Sequence, residues 1–160
     1  MEIVQAGQEA ISVIENLAQR SWRAGYAGVL SSNQIEFMLD KMYSPTGLLE
    51  AMHDGCIFYL ALANGNPVGF IGLKTKSSAV LRIEKIYLLP EVQGKGYGKR
   101  LINFAMKQAA RADIPFVQLN VNRKNKAYYF YLKQGFTVVA EVDIPYYGYI
   151  LDDYVMQKPL

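Results

Sequence analysis

The spacing of apolar positions changes partway along the chain, and the change separates helical stretches from extended ones. Met1 to Gln5 suits a short edge strand. From Gln8 to about Arg23, Ile11, Ile14, Leu17 and Ala18 fall on one face, which predicts an amphipathic helix with Trp22 near its end. Ser31-x-x-Gln34 resembles a capping box, and Ile35, Met38, Leu39 and Met42 stripe the helix that follows. Ser44-Pro45 starts another short helix, with serine as N-cap and proline at the first helical position; it ends near His53-Asp54-Gly55. At Cys56 the helical period stops. Cys56 to Ala63 is a continuous apolar run, expected to be a strand buried on both faces. Asn64-Gly65-Asn66-Pro67 is a hairpin turn into Val68 to Lys74, and Val80 to Leu89 completes a three-stranded antiparallel meander.

Helical spacing returns from Gly98 to Ala112, where Leu101, Ile102, Ala105, Ala109 and Ala112 recur. Phe116 to Val121 predicts a strand. Lys124 to Gln134 predicts a short helix closed by Gly135 as a left-handed C-cap, with Phe136 folding back on it. Thr137 to Asp143 and Tyr149 to Met156 are two closing strands, joined through a Pro145-Tyr146-Tyr147-Gly148 turn. The order of elements is α+β around one largely antiparallel sheet.

Composition narrows the function. With 160 residues the chain is expected to be one domain, 1–160, large enough for a real core. The formal charge of +3 is modest. The basic residues are dispersed except for Arg123, Lys124 and Lys126, which suit either a solvated face or a phosphate contact; nucleic acid would want a larger stripe. The single cysteine, Cys56, permits no internal disulfide and no metal cluster. The N-terminus lacks a leader pattern and no apolar run reaches membrane-spanning length, so a cytoplasmic protein with no membrane partner is expected.

The chemistry concentrates where the strand ending at Leu89-Pro90 meets Gln93-Gly94-Lys95-Gly96-Tyr97-Gly98-Lys99 and the helix after it. Glycines at a helix start let backbone N–H groups approach a ligand, and the helix dipole adds positive potential there. Strand, glycine turn and helix together make a site for a phosphate or pyrophosphate. Neither Gly-x-x-x-x-Gly-Lys-Ser/Thr nor Gly-x-Gly-x-x-Gly fits this loop; Gln93-x-x-Gly96-x-Gly98 does fit a Gln-x-x-Gly-x-Gly pattern. A second segment follows about thirty residues later: a strand, the turn Asn120-Val121-Asn122-Arg123-Lys124-Asn125, then Ala127-x-x-Phe130-Tyr131-x-Lys133-x-Gly135-Phe136.

The two segments, spanning residues 80 to 136, resemble the halves of the acyl-CoA site of the GNAT superfamily, the Gcn5-related N-acetyltransferases. The resemblance implies that family's fold, a mixed and mostly antiparallel sheet of six to seven strands flanked by helices and splayed at the cofactor site. It implies acetyl-CoA as co-substrate, without a metal. Backbone groups of Ile86, Tyr87 and Leu88 would hold the pantetheine arm, and the loop Gln93 to Lys99, including Lys95 and Tyr97, would take the pyrophosphate. Asn120, Asn125, Tyr128 and Lys133 would line the cofactor from the second segment. Tyr131 is expected to give a proton to the departing thiolate, its alternative being a helix tyrosine that packs beside the cofactor. Glu84 is the candidate base, its alternative being an exposed partner of Lys85 or Arg82. His53, the only histidine, suits an exposed helix cap better than catalysis.

Trp22, Tyr26, Leu30-Ser31, Gln34, Met38-Leu39, Met42-Tyr43-Ser44-Pro45 and Asp152-Asp153-Tyr154-Val155-Met156 resemble bacterial GNATs related to the polyamine acetyltransferase PaiA. This implies a polyamine or other small amine as acceptor, with Glu36, Asp40, Glu84, Asp143, Asp152 and Asp153 as carboxylates available to a polycation. A protein N-terminus or lysine as acceptor, or a sensor that binds without turnover, remains open. The resemblance also allows a homodimer, since related proteins often pair as dimers, and the sequence does not decide the oligomeric state.

Overall fold

Seven strands and five α-helices account for most of residues 1–160, all of which are described by the computed structural model. In chain order they are β1 (Glu2–Ala6), α1 (Ile11–Gly25), α2 (Ser32–Tyr43), α3 (Pro45–His53), β2 (Ile57–Ala63), β3 (Asn66–Thr75) and β4 (Val80–Leu88). There follow α4 (Tyr97–Arg111), β5 (Phe116–Asn122), α5 (Ala127–Lys133), β6 (Thr137–Tyr146) and β7 (Tyr149–Pro159). The strand order is β1-β2-β3-β4-β5-β7-β6, antiparallel except for the β4–β5 pair. The chain forms two compact units, Met1–Lys74 with Glu84–Leu101, and Thr75–Ile83 with Ile102–Leu160.

In the first unit α1 and α2 bury most of the stripes expected of them, Ile14, Leu17 and Ala18 and then Ile35, Met38 and Leu39, with Ile11 and Met42 half-buried; α3 buries Leu48. Each fully buried leucine, isoleucine or methionine among them stabilises the fold by about 1.5–3 kcal/mol. The caps form as anticipated. Gln34 N donates to Ser31 Oγ at 3.1 Å and Gly47 N to Ser44 Oγ at 3.2 Å. Gly47 also lets α3 approach α2, because a Cβ there would stand 2.4 Å from the Lys41 carbonyl oxygen. The β2–β3 hairpin turns at Asn64 (φ 51°) and Gly65 (φ 79°), two consecutive left-handed residues that match the twist of the strands. Strand β2 departs from the expectation of burial on both faces. Phe58 and Leu60 are buried, but Ile57 is 47% exposed and Tyr59 half-buried. An apolar run does not reveal how completely its second face is covered.

In the second unit Leu81, Ile83, Val117, Leu119, Val121 and Met156 are buried, as are the α4 residues Ile102, Ala105 and Ala109 and Phe136. Helix α5 starts three residues later than anticipated. Asn122 Oδ1 accepts from Lys124 N and Asn125 Oδ1 from Ala127 N, both at 2.9 Å, so the asparagines hold the segment as turns. Gly135 does close it with φ 93°, its N–H donating to Leu132 O while Phe136 N donates to Tyr131 O. The last hairpin turns at Tyr147 (φ 49°) and Gly148 (φ 86°), and Pro145 lies within β6 instead. That is tolerated because β6 is an edge strand. No helix is long and apolar enough to cross a membrane.

Candidate active site

In the first unit, β4 runs out at Leu88, a single 3-10 turn covers Pro90–Val92, and the glycine loop leads into α4. Leu89 N donates to Val68 O at 2.9 Å, and Gln93 Nε2 reaches back to Leu88 O at 3.3 Å, so the loop is tied to the strand before it. Gly94 (φ 77°) and Gly96 (φ 83°) both need the left-handed conformation, and nothing lies within 4 Å of where their Cβ atoms would be. The space outside the loop is therefore open. Helix α4 begins at Tyr97, with Gly98 inside its first turn. That turn carries no acidic residue and holds Lys99 and Arg100, with Lys95 just before; all three are exposed. Cations at the positive end of a helix dipole are unfavourable unless an anion shares the site. The residues fit a pyrophosphate.

The preceding strand segment presents Glu84 exposed and Ile86, Tyr87 and Leu88 half-buried. The parallel ladder with β5 runs only from Val80↔Phe116 to Ile83↔Leu119, so the edge of Glu84–Leu88 lies past its end. On the β3 side, Gly69 is required by close approach: a Cβ there would stand 2.5 Å from Tyr87 O and 2.6 Å from Leu88 Cδ2.

Alternation along β4 sends Lys85 and Tyr87 to one face, into an aromatic cluster with Trp22, Tyr26, Tyr43 and Phe70. The Trp22 ring centroid lies 4.3 Å from that of Tyr26, 5.6 Å from Tyr43 and 5.8 Å from Tyr87; Tyr43 and Tyr87 are 6.0 Å apart. Lys85 Nζ sits 4.6 Å over the Tyr43 ring. Burial pulls the Lys85 ammonium below its ordinary pKa and pushes the Tyr43 and Tyr87 phenols well above theirs. It also holds the Cys56 thiol up at about 11. No local pattern marks the cluster as a unit, because its members come from α1 and the residue that caps it, α2, β3 and β4; the shared parity of 85 and 87 is the one local signal.

In the second unit, Tyr131 lies on α5, 8% exposed, with its ring 5.4 Å from Phe130 and 5.9 Å from Phe136. Tyr128 is half-buried and stacks 5.0 Å from Tyr154, while Lys133 is exposed at the helix end. Asn125 is half-buried, its side-chain oxygen engaged with Ala127 N. Asn120 is occupied at both ends: Arg82 donates to its Oδ1 at 2.8 Å and its Nδ2 donates to Asp153 Oδ2 at 3.3 Å. Burial raises the Asp153 carboxyl above its ordinary value, opposed by the Asn120 hydrogen bond. Of the basic trio, Arg123 is committed to Asp143 and to the carbonyl of Val142, which removes it as a phosphate contact.

Several of the carboxylates proposed for a polycation have partners within the chain, Glu36 and Asp143 in exposed ion pairs. Glu36 pairs with Arg23, Asp143 with Arg123, and Asp152 accepts from Asn122 Nδ2 at 3.0 Å. Position in the sequence marked these residues as acidic but not as paired.

Comparison with known proteins bears on the same segments. The model of the Acetyltransferase (GNAT) family matches residues 14–136. A spermidine N(1)-acetyltransferase of Thermoplasma acidophilum is 31% identical over 144 residues, 86% of this chain and 89% of that one. Among solved structures, the PaiA N-acetyltransferase of Thermoplasma acidophilum in complex with coenzyme A superposes with a TM-score of 0.86 at 30% identity, covering 99% of this chain and 98% of that one. A GCN5-related N-acetyltransferase of Rhodopseudomonas palustris superposes at 0.84 over 99% and 95% of the two chains; at 21% identity it speaks for the fold alone.

Proposed function

Because the chain belongs to the GNAT acetyltransferase family and is an acetyl-CoA-dependent N-acetyltransferase, we propose that its acceptor is a small alkyl amine of the polyamine type. The observation that carries this is the similarity to a spermidine N(1)-acetyltransferase along nearly the whole of both chains.

Acetyl-CoA supplies an activated acyl group as a thioester. The pyrophosphate falls to the N–H groups from Gly94 to Lys99, with Lys95, Lys99 and Arg100 adding charge; the open loop and the acid-free first turn support this. Backbone groups of Ile86, Tyr87 and Leu88, on the strand edge past the β4–β5 ladder, hold the arm as an added strand would be held. An N–H there directed at the acyl oxygen stabilises the negative charge that develops during attack. An amine with pKa near ~10 must lose a proton before it attacks. Glu84, exposed on the same strand, takes that proton through water. Tyr131 protonates the leaving sulfur; a phenol of ordinary pKa ~10 is a competent donor toward a thiolate. Asn125 and Tyr128 precede Tyr131 in the same segment and serve as polar and aromatic contacts to the arm. Asn120 acts at one remove, as a link between Arg82 and Asp153.

The test is acetyl-CoA-dependent thiol release against spermidine, spermine, small diamines, amino acids and short peptides. Turnover with polyamines or diamines is expected. Turnover confined to peptides would move the acceptor to protein amines, and silence across the panel with acetyl-CoA still bound would point to an acceptor outside it or to a sensor.

A further inference from the structure

Arg20, on the exposed side of α1, donates from Nη2 to Glu91 Oε1 at 2.6 Å, although the two residues are 71 apart in the chain. Glu91 belongs to the 3-10 turn Pro90–Val92, between the strand segment assigned to the pantetheine arm and the loop assigned to the pyrophosphate. That turn is fixed without the ion pair. Leu89 and Val92 are buried, Val92 N donates to Leu89 O at 3.1 Å, and Gln93 Nε2 is tied to Leu88 O. Helix α1 is likewise held by its own buried stripe, Ile14, Leu17, Ala18 and Trp22. An ion pair with side chains 50% and 55% exposed adds little to such a frame.

Its charges have a larger consequence. Between Glu84 and Asp113 the chain carries Lys85, Lys95, Lys99, Arg100, Lys107 and Arg111 but a single acid, Glu91. Glu91 stands three residues before Gly94, so its Cα lies at most about 11 Å from that of the first loop glycine. Charges at that distance act on one another through water unless salt screens them. An unpaired carboxylate at this point opposes an anion on the loop. We propose that Arg20 serves the cofactor site at one remove: it cancels the Glu91 charge and so keeps the approach to the pyrophosphate loop cationic. This rests on the assignment of that loop to the pyrophosphate given above. Arg20 acts through Glu91 and not by contact with the phosphates. It comes from the first helix, so no motif around the glycines marks it. Charge and posture are separable here. If charge matters, removing the acid and removing the base have opposite effects on affinity; if the pair held the turn in place, both changes would weaken binding.

Acetyl-CoA affinity is measured by calorimetry on the full chain at an ionic strength of about 0.01 M. Arg20→Met should bind about threefold more weakly and Glu91→Gln about threefold more tightly, the size of one unit charge acting on the two charges of a pyrophosphate about 10 Å away. The double variant should return to the wild-type affinity, as should Arg20→Lys, which keeps the charge. At about 1 M salt, where the screening length falls to about 3 Å, the differences should vanish. The KM for S-acetyl-N-acetylcysteamine, an acetyl thioester without phosphate, should be the same in every variant. Weaker binding in Glu91→Gln, a loss in Arg20→Met that persists in high salt, or a parallel change in the KM of the short thioester overturns the proposal and makes the pair a structural tie. An acetyl-CoA affinity indifferent to both pair variants but lowered by Gly96→Val overturns the role of Arg20 and leaves the pyrophosphate loop standing. Indifference to all three overturns both.

Discussion

Adding one methyl group at Gly69 tests the proposed grip on the acyl group without replacing any residue that holds it. In Gly69→Ala the new Cβ would stand 2.5 Å from the Tyr87 carbonyl oxygen, whereas Cβ contacts essentially never fall below 3.0 Å. The β4 backbone must therefore retreat by about half an ångström, and Leu88 Cδ2, at 2.6 Å, must swing aside. Overpacking of this kind costs about 1–3 kcal/mol. For a chain of this size that is a fall in Tm of about 2–12 °C. Since misplacing a reacting group by about 1 Å can cost about a hundredfold in rate, half that shift should lower kcat by about 10-fold, or ~1.4 kcal/mol of barrier. The glycine loop is not displaced, so acetyl-CoA should lose only part of its hold on the β4 backbone and bind about threefold more weakly than to the wild type. Thermal unfolding, calorimetric acetyl-CoA binding and thiol release at saturating amine give the three quantities. Gly25→Ala, at the end of α1 with nothing within 4 Å of the added carbon, is the neutral control. A lowered Tm with kcat within twofold of wild type would refute the reasoning: the strand would have moved and the chemistry would not have felt it.

Gly96→Val puts a β-branched residue at φ 83°, where an L side chain costs about 1–2 kcal/mol or more; acetyl-CoA affinity measured by calorimetry should weaken about 10-fold, and unchanged affinity would remove the loop from the pyrophosphate site. Tyr131→Phe should lower kcat by about 10²-fold, as expected for loss of a general acid, while acetyl-CoA still binds; kcat within a few-fold of wild type would leave Tyr131 as a packing residue beside Phe136. Asp153 has a folded pKa raised above its unfolded value, so its contribution is present below the ordinary carboxylate range and lost as pH rises through the folded value. Asp153→Asn should therefore raise Tm at pH 7, the gain shrinking as pH falls into the carboxylate range; a gain that did not vary with pH would exclude titration as its origin. Cys56, held up at about 11, should resist alkylation at pH 8 until the chain is unfolded in guanidinium.

Much of this protein is determined by local rules acting on neighbouring residues. Ser31 and Ser44 start helices because their hydroxyls satisfy N–H groups a turn away, and Gly135 stops one because it alone takes φ 93° without strain. The period switch at Cys56 set the meander apart from the helices, and the run Gln93-x-x-Gly96-x-Gly98 marked the anion site, since the conformation of each glycine is local. The order of these pieces was enough for the family. Local rules misplaced the start of α5, where two asparagine side chains compete with the helix for backbone N–H groups. They placed the last turn across Pro145 through Gly148, although Pro145 continues β6, because whether a strand lies at an edge depends on which strands pair. Tertiary structure alone decided that Glu36 and Asp143 are spent on arginines, that Asn120 joins Arg82 to Asp153, and that Gly69 makes room for Tyr87. It also gathered Trp22, Tyr26, Tyr43, Phe70, Lys85 and Tyr87, residues far apart in the chain, into one packed cluster. Charge pairing, close approach and aromatic enclosure are set by distances between residues far apart in the chain, and no local pattern of hydrophobic and polar positions encodes those distances.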